Sequence, residues 1–170
     1  MNSYLKVGFA INLAIGCVAS YMYYDRQRKT IYFIKLSGAA TIPTRNTPTD
    51  AGMDLYSNED VEIKAGDKAL VHTGVACRMS DDTYYLRIAP RSGFSWNNHT
   101  DIGAGVIDAG YRGEIKVLVF NHSNNNMRIG CGAKIAQLIP TKTCYPVIKV
   151  VDSLDTTQRG AKGFGSSDSA

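Results

Sequence analysis

Two kinds of hydrophobic patterning divide the chain near residue 30. From residue 7 to residue 24 no side chain is charged, and only Asn12 and Ser20 are clearly polar. As a helix this stretch is about 27 Å long, enough to reach across the hydrocarbon layer of a bilayer. Beyond residue 30 the helical period gives way to short runs of alternating character. Tyr84, Leu86 and Ile88 interleave with Tyr85, Arg87 and Ala89, the two-residue period of a strand with unlike faces. β-rich runs at 31–36, 68–72, 84–89, 114–121, 134–140 and 147–150 are predicted as strands, many separated by Gly, Asp, Asn or Pro. Such spacing predicts an all-β barrel or jelly roll over residues 31–154, not a layered α/β fold. Residues 155–170 are polar and glycine-rich with one aromatic, Phe164, and read as a mobile arm.

The segment spanning residues 1–30 supports three readings. Tyr21, Tyr23 and Tyr24 followed by Arg26, Arg28 and Lys29 suit a membrane anchor at residues 7–24, with the main body on the cytoplasmic side. Ala19 suits the cut of a secretory signal, although the charged leader before it is thin. Met22 also suits a start codon, which would make residues 1–21 an extension.

Composition narrows the class. A chain of 170 residues that is 44% hydrophobic and 20% charged has room for one sizeable core and is neither disordered nor a multi-pass membrane protein. Its net charge of +4 suits a small anionic ligand and falls far short of the basic stripe that nucleic acid demands. Cys17, Cys77, Cys131 and Cys144 have neither paired nor metal-site spacing and are expected to be buried reduced thiols. His72, His99 and His122 lack a partner at ligand spacing and read as structural. The zinc-protease, serine-hydrolase and P-loop templates are all missing.

Five segments carry the chemistry. They are Ala51-Gly52-Met53-Asp54-Leu55-Tyr56, Pro90-Arg91-Ser92-Gly93, the run 105–113 (Gly-Val-Ile-Asp-Ala-Gly-Tyr-Arg-Gly), the run 132–138 (Gly-Ala-Lys-Ile-Ala-Gln-Leu) and the run 159–166 (Arg-Gly-Ala-Lys-Gly-Phe-Gly-Ser). Arg91, Ser92 and Gly93 combine a permanent cation, a hydroxyl and an unencumbered backbone, which is what several phosphate oxygens need. The run 105–113 reads as a hairpin with Ala109-Gly110 at its tip.

In this order and with these gaps the five segments resemble the motifs of the trimeric dUTPase family, most closely its eukaryotic and poxviral branch, over residues 31–168. The resemblance implies a jelly-roll-like β-barrel subunit of a homotrimer with shared active sites. It implies hydrolysis of dUTP to dUMP and pyrophosphate with Mg²⁺, which limits uracil in DNA and supplies dUMP. A cytoplasmic or nuclear enzyme follows, tethered to a membrane if residues 7–24 anchor it.

By the same resemblance Asp108 orients the attacking water and contacts the sugar 3′-hydroxyl. Gly105, Val106 and Ile107 belong to the hairpin that receives uracil, and the Tyr111 ring packs on deoxyribose. Arg91, Ser92, Gly93 and Gln137 meet phosphates. Arg159 reaches the terminal phosphate, and Phe164 stacks over uracil with Gly165 and Ser166 beside it. Mg²⁺ is carried by the triphosphate and waters, with Asp54 nearby and no direct protein ligand. Phe94 stands where the family usually has leucine, and Ser167 where it has threonine. Two alternatives share the fold: a dCTP deaminase, which would need a glutamate poised beside the base, and a non-catalytic nucleotide-binding regulatory module.

Overall fold

The computed structural model describes residues 29–163. The proposed anchor at 7–24, the wider segment 1–28 and residues 164–170, with Phe164, Gly165 and Ser166, lie outside the described residues. Eleven strands and one short helix make up the described region: β1 (Ile31–Lys35), β2 (Met53–Tyr56), β3 (Val61–Ile63), β4 (Lys68–His72), β5 (Val75–Met79), β6 (Tyr84–Ala89), α1 (Ser92–Asn98), β7 (Thr100–Gly103), β8 (Val106–Ile107), β9 (Lys116–Asn121), β10 (Met127–Ile129) and β11 (Lys134–Lys142). Every pairing between them is antiparallel.

The strands fall into four ladders: β2-β11-β6-β8, β4-β9-β7, β1-β5 and β10-β3. The all-β jelly-roll-like expectation holds. The ladders do not close into one continuous barrel. Side-chain alternation builds the core: β9 buries Val117, Val119 and Asn121 on one face, and β11 contributes Ile135, Ala136 and Leu138. These meet Leu55, Val71, Val75 and Ile115, all fully buried. Burying a Leu, Ile or Val side chain stabilises a fold by about 1.5–3 kcal/mol each. Apolar packing therefore supplies most of what holds the ladders together.

Two expectations need correction, and one element was not predicted. Residues 147–150 form no strand: Val147, Ile148 and Val150 are 83%, 91% and 97% exposed. Their β-branched side chains favour a pleated surface only where a neighbour covers it, and nothing else in the described chain does so. Cys131 and Cys144 are exposed and Cys77 is half-buried, all three as free thiols, so of these only Cys77 has partial shelter. Burial pushes the Cys77 thiol up to about 11, against a smaller opposing pull from Arg112. The unpredicted element, α1, occupies a stretch with no helical period in sequence. It runs two turns from Arg91, in extended backbone, to His99, which closes it in the left-handed region at φ 52° with its N–H donating to the Ser95 carbonyl.

Candidate active site

The site begins with an irregularity in β11. Lys134 faces Tyr56 and Gln137 faces Asp54, but between them Ala136 faces Leu55, leaving Ile135 as an extra residue. In a regular strand, residues three apart point to opposite faces. The extra residue restores them to one face, as a β-bulge does. Lys134, Gln137 and Asp54 thus share a polar cleft of about 400 Å³ with Arg91, Gly52, Ala51, Asp50 and Asn46. Ile135, Ala136 and Leu138 meanwhile stay in the core.

Asp54 organises the cleft. One carboxylate oxygen accepts from Arg91 Nε at 2.8 Å and the other from Lys134 Nζ at 2.7 Å. Arg91 also donates from Nη1 to the Lys134 carbonyl at 3.1 Å. The hydrogen bond and charge of Asp54 raise the Lys134 pKa above its ordinary value. Gln137 Nε2 donates to the Pro90 carbonyl at 2.9 Å, which fixes its side chain against the turn leading into Arg91. Gly52 makes this possible, because a Cβ there would collide with the Gln137 amide. Three of the expected segments therefore meet in one place.

Arg91 is the residue that enters α1, and the first intrahelical bond runs from Ser95 N to the Arg91 carbonyl at 2.9 Å. Ser92 and Gly93 are exposed at the start of the helix, where backbone N–H groups precede the first bond. Phe94 packs against the core, so the larger side chain at this position anchors the helix.

The Asp108 segment lies elsewhere. Val106 and Ile107 pair with Arg87 and Leu86 of β6, and the Ile88 N–H donates to the Gly105 carbonyl at 2.7 Å. Running antiparallel, the segment carries Asp108 toward the start of β6 while Arg91 lies past its end. At 3.3–3.4 Å per residue that separates them by about 20 Å along the strand. Asp108 is exposed, and neither it nor Tyr111 lines the polar cleft.

The expected hairpin is only half realised. Its tip is a turn, with Tyr111 N donating to the Asp108 carbonyl at 3.0 Å. Its arms are not paired with each other, because β8 joins β6 while β9 joins β4 and β7. Arg112 braces the tip by donating from Nη1 to the Ala109 and Tyr111 carbonyls at 2.7 and 2.8 Å. Tyr111 is 44% exposed and its hydroxyl donates to the Glu114 carbonyl at 3.0 Å. The Glu114 carboxylate accepts from Gly74 N and from the His72 ring, both at 2.8 Å. Burial acts to raise the Glu114 pKa, but the Gly74 amide, His72 and Lys116 together hold it below the ordinary carboxylate range. Gly105 has a packing reason of its own, since a Cβ there would run into the Ile88 carbonyl.

Arg159 lies in an exposed stretch without strand or helix, its Nε donating to the Lys162 carbonyl at 3.0 Å. The remaining arm residues of the site, Phe164, Gly165 and Ser166, fall outside the described residues. Sequence reasoning missed Lys134, Asp50, Asn46 and Arg112 as members of the two site regions. The signal for Lys134 was present as a break in alternation, because the apolar pair Ile135-Ala136 fits no two-residue period.

The dUTPase family model matches residues 39–168. A deoxyuridine 5′-triphosphate nucleotidohydrolase of Arabidopsis thaliana is 49% identical over 132 residues, 78% of this chain and 79% of its own length. The enzyme of the same name from Swinepox virus is 45% identical over 134 residues, 79% of this chain and 94% of its own. Among solved structures, a mutant dUTPase of Staphylococcus bacteriophage 80alpha with dUpNHpp superimposes with a TM-score of 0.76 at 32% identity, covering 81% of this chain and 98% of that one. On sequence and on fold alike, the chain belongs to the dUTPase family.

Proposed function

We propose that this protein hydrolyses dUTP to dUMP and pyrophosphate, with the polar cleft holding the triphosphate and the Asp108 turn serving the base, sugar and attacking water. What carries the reading is the convergence of Asp54, Arg91, Lys134 and Gln137 on one cleft in a dUTPase-family chain. Hydrolysis at the α-phosphorus needs a water held in line and polarised as it attacks. A carboxylate is a weak base, so the rate comes mainly from positioning and from neutralising charge on the phosphates. The unpaired arms around Asp108 leave backbone donors and acceptors free of a mutual ladder. Such groups at fixed spacing match uracil and leave the amino group of cytosine unpaired.

The separation of Asp108 from Arg91 within one chain supports a homotrimer with active sites shared between subunits. The arm at 155–170 then closes over a site, Arg159 reaching the terminal phosphate and Phe164 stacking on uracil. For magnesium, both oxygens of Asp54 are engaged by cations and Asp50 accepts from Thr47. The donor set suits phosphate oxygens better than a bare metal, so Mg²⁺ fits here as the triphosphate complex. When bound, it lowers the negative charge that the cleft must receive.

Pyrophosphate release from a panel of nucleoside triphosphates tests the reading. dUTP should be the preferred substrate by orders of magnitude. Ammonia release from dCTP would instead establish a deaminase, and tight binding without turnover a regulatory module.

A further inference from the structure

The peptide plane between Glu114 and Ile115 is gripped from both sides. Its N–H donates to the Val75 carbonyl at 2.8 Å, and its carbonyl accepts from the Tyr111 hydroxyl at 3.0 Å. The turn between β4 and β5 supplies the rest of the grip. Gly74 N and the His72 ring hold the Glu114 carboxylate, both at 2.8 Å, and the Thr73 hydroxyl donates to the Ile115 carbonyl. Ile115 is fully buried, and the Glu114 side chain is only 18% exposed. Gly113 completes the arrangement, because a Cβ there would stand where the hydroxyl end of the Tyr111 ring lies. The ring thus folds back over Gly113 onto a backbone acceptor that cannot move alone.

We propose that Glu114 is a positioning residue for sugar selection: anchored by the β4–β5 turn, it holds the carbonyl that fixes the Tyr111 ring against the sugar. This rests on the reading of the Asp108 turn as the place of base and sugar. Glu114 lies one residue past the run 105–113 and does not line the polar cleft, so it acts through Tyr111 alone. A tyrosine ring moves between staggered rotamers unless packing and hydrogen bonds lock it. A ring that can swing away admits a ribose 2′-hydroxyl, whereas a locked one rejects it by contact. The Glu114 carboxylate carries that lock to Tyr111 from a turn 40 residues away in the chain.

The test compares kcat/KM for dUTP with kcat/KM for UTP in the full chain, a ratio in which any loss of folded protein cancels. Glu114→Ala should lower the dUTP-to-UTP ratio about tenfold or more, chiefly by admitting UTP. Glu114→Gln still offers an oxygen to Gly74 and an amide to His72, and should stay within about threefold of the wild-type ratio. Thr73→Val loosens the same turn by leaving the Ile115 carbonyl unpaired, and should leave the ratio within about twofold. An unchanged ratio in Glu114→Ala would overturn the proposal. So would an equal fall in Thr73→Val, or a Glu114→Gln ratio as low as that of Glu114→Ala. Should Glu114→Ala not fold, His72→Ala removes one anchor at a half-exposed position, and a fall smaller than about threefold would sink the idea. If the wild-type protein proved inactive on dUTP, the functional reading would fail by itself. A fluorotyrosine label, its Tyr111 signal assigned with Tyr111→Phe, would still decide the lock by NMR: that signal should move and sharpen in Glu114→Ala, and an unmoved signal would overturn the proposal.

Discussion

Asp108 and Gly52 act through different physics. Asp108 stands exposed on a braced turn, so Asp108→Asn removes charge while the Arg112 and Tyr111 bonds that shape the turn remain. Turnover should fall by about three orders of magnitude or more with binding of a non-hydrolysable dUTP analogue nearly unchanged. A variant within tenfold of wild type removes Asp108 from the mechanism. Gly52→Ala is a steric test. Its new methyl group meets the Gln137 amide oxygen and also Gln137 Cβ, which β11 holds in place, so the two strands must shift slightly and the fold should survive with a loss of about 1–3 kcal/mol. Gln137 should lose its bond to the Pro90 carbonyl. kcat/KM should drop further than stability does, and equal losses would mean that Gln137 serves packing alone.

Among the elements, legibility followed length and regularity. β1, β4, β6, β9 and β11 were readable because five or more residues keep to one period or one composition, whereas β5, also five residues long, mixes Val-Ala-Cys-Arg-Met without either. β2, β3, β7, β8 and β10 have two to four residues, too few for a period to show. α1 was unreadable for another reason: Ser-Gly-Phe-Ser-Trp-Asn-Asn buries only part of Phe94 and leaves Trp96 84% exposed, so there is no apolar stripe to detect. The candidate site was legible as five segments, and its geometry was not. Which segments meet depends on strand order and on the bulge, neither of which composition encodes. The link from Glu114 to Gly74 and His72 shows the same point, since 40 residues separate Glu114 from Gly74. Because the folded carboxyl is held below its ordinary value of 4.5, its contribution is complete above that pH and is lost as the pH falls through and beneath it. Glu114→Gln should cost about 1–2 kcal/mol at pH 7 and progressively less as the pH falls below 4.5, read from urea unfolding at each pH. A difference that does not change with pH would mean that the charge is irrelevant there.

At the scale of the whole molecule, the stretch leading into the arm is strongly apolar and uncovered, with Val147, Ile148, Val150 and Leu154 all more than four-fifths exposed. Ending the chain after Gln158 leaves that stretch in place and removes polar, glycine-rich sequence whose one aromatic is Phe164. The truncated protein should keep its unfolding temperature and its weak binding of dUMP while dUTP hydrolysis collapses; normal turnover would exclude a closing arm. The position of Asp108 near the start of β6 and of Arg91 past its end has a genetic consequence. On the shared-site reading, two chains, one carrying Asp108→Asn and the other Arg91→Ala, should each be dead because they spoil different halves of a site. Unfolded together and refolded as mixed trimers, they should regain activity at about a quarter of the sites, where the intact half of each falls beside the other. Two recessive lesions in one gene would then complement one another in the same cell.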